Sequence, residues 1–359
     1  PLQKNRYLFN NAHTVSFNQL VPIDSIYQLR INSSYINDYQ NLNSSVSSRF
    51  YLPFDTVAFS EVNSIYKGIN LLQTDLSLMA NSPKYYLKNL LRLQASWLQD
   101  KGLLITNNNN IDQRMNARFF NISNDFKIIK TRRKNILEWA SYIGYAAQPQ
   151  QLLIYPGLYA YLLNNNSPYN SVLQKAEIRN FYTDSYLSVR KRKGKFSSTL
   201  KMGVNWQHKV LKSYLFTEAA GVFKNAADSF SSNLNWSRLR IYSEASLSYE
   251  NGALRVSGTM PLSFTAINYS NKDGSGIRKD GVIISPNLSV MLQLSPKWVW
   301  GNTFSYNNRN FGEAEQVAEG YILKTYRNFS NNRSSLPEQS SYNVSSYINF
   351  RDPLKTVFL

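Results

Sequence analysis

The stretch Leu90-Leu91-Arg92-Leu93-Gln94-Ala95-Ser96-Trp97 alternates between apolar and polar residues. Because successive side chains of a β-strand point to opposite faces of the sheet, Leu91, Leu93, Ala95 and Trp97 would share one face. Arg92, Gln94 and Ser96 would share the other face. The stretch therefore predicts a β-strand with one face suited to hydrocarbon and the other suited to water.

The same alternation recurs along the chain in segments of about ten residues, which is the length of a strand that crosses a membrane. In one of them Leu200, Met202, Val204 and Trp206 alternate with Lys201, Gly203, Asn205 and Gln207. Further segments of this kind are Tyr27–Tyr35, Leu239–Leu247, Leu254–Leu262, Leu288–Leu294 and Trp298–Tyr306. The repetition predicts many strands that each have a lipid-facing side.

Composition favours the same fold class and argues against a membrane helix. The chain of 359 residues is 43% hydrophobic and carries 25 Tyr and 19 Phe, residue types that gather at membrane interfaces. Its longest apolar stretch, Leu152–Leu163, is interrupted by Pro156 and Gly157, and it falls short of the roughly 20 residues that a membrane helix needs. We therefore predict an all-β fold, an antiparallel transmembrane β-barrel.

Short and long connections alternate between the predicted strands, as periplasmic turns and outer loops do in an outer-membrane barrel. The short ones are at 21–24, 82–84, 130–134, 191–195, 251–252, 295–297 and 351–353, and the long ones at 107–112, 164–170, 268–281 and 329–341. Counting hairpins gives about 14 strands, with boundaries being the weakest part of the count. No domain linker is evident, so residues 1–359 are predicted to form one barrel region.

Pro261 and Pro286 fall inside predicted strands, where a missing amide donor weakens the hydrogen-bond ladder. We therefore expect both prolines near a strand end or bulge.

The net charge of +18 invites a nucleic-acid partner. However, most basic residues are scattered singly along strands, and the two dense runs, 130–134 and 190–195, fall between alternating segments. We interpret these runs as charged hairpin tips, with contact to phosphate groups of a lipid or ligand as the sharper alternative. No nucleic-acid partner is expected.

Residues for catalysis or metal binding do not gather in this sequence. Cysteine is absent, and His13 and His208 stand far apart without a neighbouring carboxylate at ligand spacing. The carboxylates Glu138, Asp184 and Glu244 stand singly on predicted strands, and nothing pairs them at the separation that hydrolases use. The chain is therefore predicted not to be an enzyme and to need no cofactor.

A specific function could lie on the polar side of the predicted strands. In a barrel these residues would face an enclosed lumen and could bind an anionic or hydroxylated solute, although they could equally hydrogen-bond to each other or to a plug. The candidate contacts are Arg30, Arg92, Gln94, Lys201, Asn205, Gln207, Arg238, Arg240 and Glu244.

Three pieces of the chain resemble the TonB-dependent outer-membrane receptors of the Bacteroides group. They are the segment Leu152–Tyr159, the strand Met260–Tyr269 and the turn Phe350–Lys355 with its Asp-Pro. The resemblance implies a barrel of about 22 strands, a plug domain, a contact with the TonB complex and import of scarce or large nutrients such as siderophores, vitamins or glycans. No plug or TonB-contact segment can be assigned to residues of this chain, and no signal peptide is visible at Pro1. We therefore expect an internal fragment of the barrel domain.

Three functions remain open from the sequence. The first is the barrel of a nutrient receptor in the outer membrane of a Gram-negative bacterium, in contact with lipid and with or without a surface lipoprotein as a cap. The second is a stand-alone porin, adhesin or secretion component. The third is a soluble β-rich carbohydrate-binding protein, in which the apolar rows would pack between two sheets.

Overall fold

The computed structural model describes residues 2–52, 55–106, 110–133, 135–271, 274, 276–310, 314–325, 328–330, 338–352 and 357–358. The predicted fold class is confirmed, because this part of the chain is dominated by long antiparallel strands. In chain order the strands are β1 (Leu2–Pro22), β2 (Tyr27–Leu52), β3 (Asp55–Asn81), β4 (Tyr85–Thr106), β5 (Asn110–Arg132), β6 (Asn135–Tyr155), β7 (Ser171–Lys193), β8 (Phe196–Ala219), β9 (Val222–Asn225), β10 (Ser232–Asn251), β11 (Leu254–Ser270), β12 (Gly276–Ile284), β13 (Asn287–Gln293), β14 (Trp298–Asn310), β15 (Ile322–Thr325), β16 (Asn328–Ser330), β17 (Glu338–Asp352) and β18 (Val357–Phe358).

The strands form a meander in which almost every strand pairs with its sequence neighbours. The main path runs β1-β2-β3-β4-β5-β6-β7-β8-β10-β11-β13-β14-β17-β18, so its 14 strands match the predicted count. Short β9 pairs with β8, and β15 and β16 form a separate hairpin. In the described part of the chain β1 is hydrogen-bonded to β2 alone.

The two prolines have different positions in the ladder. Strands β12 and β13 keep one common register against β11, so they are two parts of a single strand interrupted at Ser285 and Pro286. Pro286 therefore lies at a break, as expected. Pro261 instead lies within β11, where its carbonyl oxygen accepts a hydrogen bond of 3.2 Å from the backbone N–H of Ser285. The expectation of a strand end or bulge was wrong for Pro261, which lies in an unbroken part of β11 opposite the interruption.

Six tight turns between strands of the main path lie at one end of the sheet, which we call the tight-turn end, whereas the two-residue turn of the short β8–β9 hairpin lies at the other end. The predicted short connections at 21–24, 82–84, 130–134, 191–195, 251–252 and 295–297 are confirmed there, and the turn at 351–353 lies partly outside the described residues. The opposite, loop end carries the longer connections. Residues 268–281 are not one long loop as predicted, because β11 continues to Ser270 and β12 begins at Gly276. Residues 107–109 and 331–337 lie outside the description.

The compact core lies at the loop end, where connecting segments pack against one face of the sheet. Helix α1 (Ala160–Leu163) and the short 3₁₀ segments Asp228–Phe230 and Ala314–Gln316 belong to these connections. One buried cluster joins Leu163, Tyr169 and Phe230 to Ile154 and Leu215 of the sheet. No helix in the described ranges is long and apolar enough to cross a membrane.

Candidate functional site

The strand registers divide the sheet into two faces with opposite chemistry. Residues paired across antiparallel strands have their side chains on the same side of the sheet, so a face can be followed from strand to strand. From Arg92 the pairing leads through Ser123, Gly144 and Tyr182 to Gln207 and Arg238. We call this side the polar face, and the side that carries Leu93, Val204 and Ile241 the apolar face.

Every predicted contact residue lies on the polar face. A second row begins at Arg30 and runs through Ser77, Leu90, Asp125, Tyr142 and Asp184 to Asn205 and Arg240. Gln94 lies two residues from Arg92 on β4, and therefore on the same face. On β10, Glu244 lies two residues from Tyr242 and pairs with Lys201. The face assignment made from alternation alone therefore agrees with the structure for Arg30, Arg92, Gln94, Lys201, Asn205, Gln207, Arg238, Arg240 and Glu244.

Only part of this set converges on one cavity. A cavity of about 630 Å³ opens on the polar face and includes Lys201, Asn205, Arg238, Arg240 and Glu244 in its lining. Tyr182, Asp184, Tyr242, Pro261, Thr265, Ile283, Ser285, Asn307 and Asn308 also line it. The side-chain amide of Gln207 reaches the cavity indirectly, because its Oε1 accepts a hydrogen bond of 2.9 Å from Nη2 of Arg238.

The candidates on the early strands lie apart from this cavity. Arg92 forms a two-point ion pair with Asp75 of β3, with Nε to Oδ1 at 2.9 Å and Nη2 to Oδ2 at 3.2 Å. The guanidinium of Arg92 therefore binds another side chain of the sheet. This was the alternative to solute binding that the sequence left open. Arg30 and Gln94 likewise belong to strands that do not line the cavity.

A tyrosine–carboxylate group holds one wall of the cavity. The hydroxyl of Tyr242 donates a hydrogen bond of 2.8 Å to Oδ1 of Asp184, and the hydroxyl of Tyr182 contacts Oδ2 at 3.5 Å. Tyr242 pairs directly with Gly203, and a Cβ at Gly203 would lie 2.5 Å from the tyrosine ring and 2.8 Å from the carbonyl oxygen of Ser185. The missing side chain at Gly203 therefore allows the ring to lie against the sheet.

The cations of the cavity lie over aromatic rings. Nζ of Lys201 is 3.9 Å from the ring centroid of Tyr186 and 5.5 Å from that of Tyr242. The guanidinium carbon of Arg240 is 5.5 Å from the Tyr242 centroid, and that of Arg238 is 5.3 Å from the Trp236 centroid. Cation–π contacts of this kind position a charge without neutralising it. The cavity wall thus presents fixed positive charge beside tyrosine hydroxyls, a combination suited to anionic or hydroxylated solutes.

A segment of the β14–β17 connection folds onto the polar face near the loop end. Its Ala314, Val317 and Ala318 are buried against Leu234 and Trp236 of β10. Nζ of Lys209 is 3.2 Å from Oε1 of Glu315, and the backbone N–H of Leu323 donates a hydrogen bond of 3.1 Å to Oε1 of Gln174. We call residues 314–323 the inner segment. It narrows the space over the polar face on the loop-end side.

Two titratable groups at the loop end have shifted pKa values. Glu218 accepts hydrogen bonds from the backbone N–H of Gly221 at 2.7 Å, from Asn170 at 3.3 Å and from Ser171 at 3.1 Å, and these donors lower its pKa. Burial raises the pKa of Tyr169 to about 12, and its hydroxyl donates a hydrogen bond to the carbonyl of Leu158. Both groups fix loops beside the core at the loop end.

The sequence interpretation missed Tyr182 and Tyr242 and gave Asp184 no role at the site. All three occupy positions that alternate with apolar residues on β7 and β10, so extending the two-residue period along those strands would have placed them on the polar face. Their convergence depends on cross-strand register, which the period does not supply. Among the described residues, no group of three or more His, Cys, Asp or Glu is arranged to hold a metal ion.

The apolar face is exposed and almost continuous across the tight-turn half of the sheet. Its large side chains include Ile122, Leu137, Trp139, Ile143, Leu187, Val189, Leu200, Met202, Val204, Trp206, Leu239, Ile241, Leu247, Met260, Leu262, Phe264, Leu288, Trp298, Trp300 and Phe304. Soluble proteins rarely expose contiguous apolar surface beyond a few hundred Å². A face of this extent requires a membrane or a large partner to cover it.

Aromatic pairs mark the tight-turn edge of the apolar face. The hydroxyls of Tyr27 and Tyr85 are 2.8 Å apart. The rings of Phe196 and Tyr249 have centroids 4.8 Å apart, and those of Trp298 and Phe350 are also 4.8 Å apart. An edge of Tyr, Trp and Phe is typical of the level at which lipid headgroups meet hydrocarbon.

Comparison with known proteins finds similar chains among solved structures. No protein-family model and no curated protein matches the chain. Among solved structures, the copper transporter OprC aligns at 10% identity over 98% of this chain and 52% of its own, with a TM-score of 0.49. The chain therefore spans about half the length of OprC.

Two other solved structures align with lower scores. The translocator domain of the autotransporter NalP from Neisseria meningitidis aligns at 9% identity over 92% of this chain and 89% of its own, with a TM-score of 0.27. BauA, the ferric preacinetobactin receptor from Acinetobacter baumannii, aligns at 9% identity over 98% and 73%, with a TM-score of 0.28. Because the identities and TM-scores are low, these alignments do not assign a function. The chemistry of the two faces of the sheet is the evidence for function.

Proposed function

We propose that this chain forms part of the wall of an outer-membrane transport barrel, with the apolar face against lipid and the polar face lining the passage of a polar nutrient. The single observation that carries the proposal is the separation of chemistry between the two faces over the tight-turn half of the sheet, maintained through the register of consecutive strands. In a soluble sandwich the apolar rows would need a second sheet over them. In a barrel the bilayer covers them.

The height of the apolar band on β7 supports a membrane location. The apolar-face side of this strand has charged residues at both ends and uncharged residues between them. In order they are Lys175, Glu177, Arg179, Phe181, Thr183, Ser185, Leu187, Val189, Lys191 and Lys193. Eight residue steps from Phe181 to Val189 span about 26 Å of strand. Strands of about 9–11 residues, tilted by roughly 45°, cross the hydrocarbon of a bilayer, so these nine residues are long enough for one crossing. The strand then carries water-facing, lipid-facing and water-facing sections in series.

Closure is required by the same proposal. In hydrocarbon an unpaired backbone N–H or C=O costs several kcal/mol, so an open sheet edge is not tolerated there. The free side of β1 must then pair with another strand, either near β17 and β18 or outside this chain.

As part of a TonB-dependent receptor, the wall would surround a plug domain and depend on the TonB complex for energy. That assignment takes its support from the resemblance of three sequence pieces described above.

The cavity suggests the class of solute. Lys201, Arg238 and Arg240 supply positive charge, and Tyr182 and Tyr242 supply hydroxyls next to flat apolar rings. Such a wall would bind carboxylate, phosphate, catecholate or sugar hydroxyl groups by charge-assisted and neutral hydrogen bonds. Glu244 and Asp184 add negative charge to the wall. The expected solute therefore carries both acceptor and donor groups. Movement along the wall needs no covalent step.

A cysteine scan along β8 tests the orientation of the sheet. Because the sequence contains no Cys, each introduced thiol is unique. In the protein refolded into lipid bilayers, a charged maleimide should label cysteines at the polar-face positions Thr199 and Lys201, which are only partly buried, and should leave those at Leu200, Met202 and Val204 unmodified. In detergent-free aqueous solution a soluble binding protein would instead fold and protect the even positions within its core.

The second part of the test separates barrel types. The folded protein should migrate as a compact species that shifts on boiling, as stable membrane barrels do. Equal labelling of odd and even positions in the bilayer would overturn the proposal. Alternating labelling together with a large constant ion conductance would favour a stand-alone porin over a receptor barrel closed by a plug.

A further inference from the structure

Four cations gather at one place on the tight-turn edge of the apolar face. Lys130 and Arg132 lie at the end of β5, and Lys191 and Lys193 lie at the end of β7. All four side chains are exposed. We call these residues the basic corner.

The strand registers place the whole basic corner on the lipid-facing side. Arg132 and Lys191 both pair with Asn135 of β6, and Lys130 pairs with Leu137. Lys193 pairs with Phe196 across the β7–β8 turn. Leu137 is followed in the same cross-strand row by Val189 and Leu200, which are 46% and 48% exposed. The cations therefore begin where the apolar band ends.

The positive charge of the basic corner is not balanced by the protein. Within the described ranges, the structure shows no carboxylate in ion-pair contact with any of the four cations. The neighbouring hairpin differs, because Arg255 is paired with Glu250 there. At the loop end Arg114 is paired with Asp112 at 2.7 Å. The contrast marks the basic corner as a place where an external anion can supply the missing charge.

The spacing of the basic corner fits a layer of phosphate groups. Arg132 and Lys191 are two strands apart, which is about 10 Å, and Lys130 and Arg132 are two residues apart, which is about 7 Å. Tyr85 pairs with Lys130, and the rings of Phe196 and Tyr249 lie beside Lys193, so aromatic side chains border the cations. This is the order of groups expected at a headgroup level, with apolar residues on one side and water on the other.

We propose that the basic corner binds the phosphate groups of anionic phospholipids in the bilayer leaflet at the tight-turn end. The inference rests on the proposed membrane location of the sheet. It adds a lipid-selective site on the outer wall that is independent of the solute passage, and it predicts that anionic lipid stabilises the hairpins β5–β6 and β7–β8.

Strand β7 offers a matched pair of variants. The variant K191Q/K193Q removes two positive charges from the lipid-facing side, and R190Q/R192Q removes two from the opposite side of the same strand end. Adding K130Q/R132Q to the first variant removes all four positive charges of the basic corner. Each protein is refolded in nanodiscs of mixed phosphatidylglycerol and phosphatidylcholine, and the lipids retained after detergent extraction are counted by native mass spectrometry.

The wild-type protein and R190Q/R192Q should retain phosphatidylglycerol several-fold above its share of the mixture. K191Q/K193Q should lose part of this enrichment, and the quadruple variant should lose all of it. Equal enrichment in all four proteins would overturn the inference. If phosphatidylglycerol is not enriched, while inorganic phosphate binds the wild-type protein and not the quadruple variant, the assignment to lipid is overturned in favour of free phosphate.

Refolding in pure phosphatidylcholine distinguishes the two proposals. If every variant gives the heat-sensitive compact species there and yet none prefers phosphatidylglycerol, the membrane location stands and the lipid site fails. If none inserts, and the protein is instead soluble and folded without lipid, the proposed function fails and the basic corner loses its ligand with it.

Discussion

Tyr242 on β10 donates a hydrogen bond of 2.8 Å to Oδ1 of Asp184 on β7, across the intervening strand β8. The bond passes over Gly203, the residue of β8 that pairs with Tyr242. Three consecutive strands of the main path are thereby joined by one side-chain contact. Because the ring occupies the space that a side chain at Gly203 would need, the shape of the cavity wall depends on the absence of a Cβ there.

We expect Gly203→Ala to destabilise the fold by about 1–3 kcal/mol, because the added methyl group would overpack against the Tyr242 ring. In a Tyr242→Ala background the same change should cost clearly less, because the ring is absent and only the contact of the new Cβ with the carbonyl oxygen of Ser185 at 2.8 Å remains. Urea unfolding of the four proteins of this cycle, refolded in lipid, measures the coupling. An equal cost of Gly203→Ala in both backgrounds would show that the ring is not the obstacle.

Arginine substitutions test which side of each strand faces lipid. We expect Leu93→Arg and Val204→Arg to cost about 2–4 kcal/mol each if these positions lie near the bilayer midplane. The control is Gln94→Arg, one residue beyond Leu93 on β4, where an added charge would face the polar side at a partly exposed position and have a mild effect. Folded yield and the free energy of unfolding in lipid are the measurements. Similar losses at neighbouring positions would refute the register.

The inner segment should be held by apolar burial more than by its ion pair. Val317 is 4% exposed in the described structure, so Val317→Asp would bury an unpaired charge and should detach the segment from β10. Glu315→Gln removes a negative charge that is half exposed but keeps a hydrogen-bond acceptor beside the largely buried Lys209, so it should have a smaller effect. Limited proteolysis of the folded protein should cut residues 314–323 much faster in the first variant. If Glu315→Gln is cut as fast as Val317→Asp, the ion pair is what holds the inner segment in place.

Acid should release the contacts of Glu218. Its pKa is lowered in the folded protein, so the stabilisation from the donors Gly221, Asn170 and Ser171 is fully present above the unfolded value of about 4.5 and is lost as the pH falls through the lower folded value. Carbon-detected NMR of glutamate-labelled protein, with Glu218→Gln as the assignment control, would measure the titration directly. A midpoint at or above the unfolded value would contradict the hydrogen-bond geometry.

The site was partly predictable from the sequence. Alternation placed Lys201, Asn205 and Arg240 on one face, because the side-chain period of a strand is fixed by backbone geometry alone. It did not show that Arg92 would be engaged by Asp75, since that pair depends on the register between β3 and β4. It also gave no sign that Tyr242 would reach over Gly203 to Asp184, a contact between residues far apart in the chain.

Local chemistry by itself determined the all-β class, the number of strands on the main path, the tight turns and the two faces. Each of these depends on neighbouring residues: a two-residue period, a turn signal or a short apolar run. Only the tertiary structure decided which polar residues share a cavity, that residues 314–323 fold onto the polar face, and that Lys130, Arg132, Lys191 and Lys193 form one cluster. These features depend on register between strands and on the packing of connections, which are set by the sum of many contacts distant in sequence.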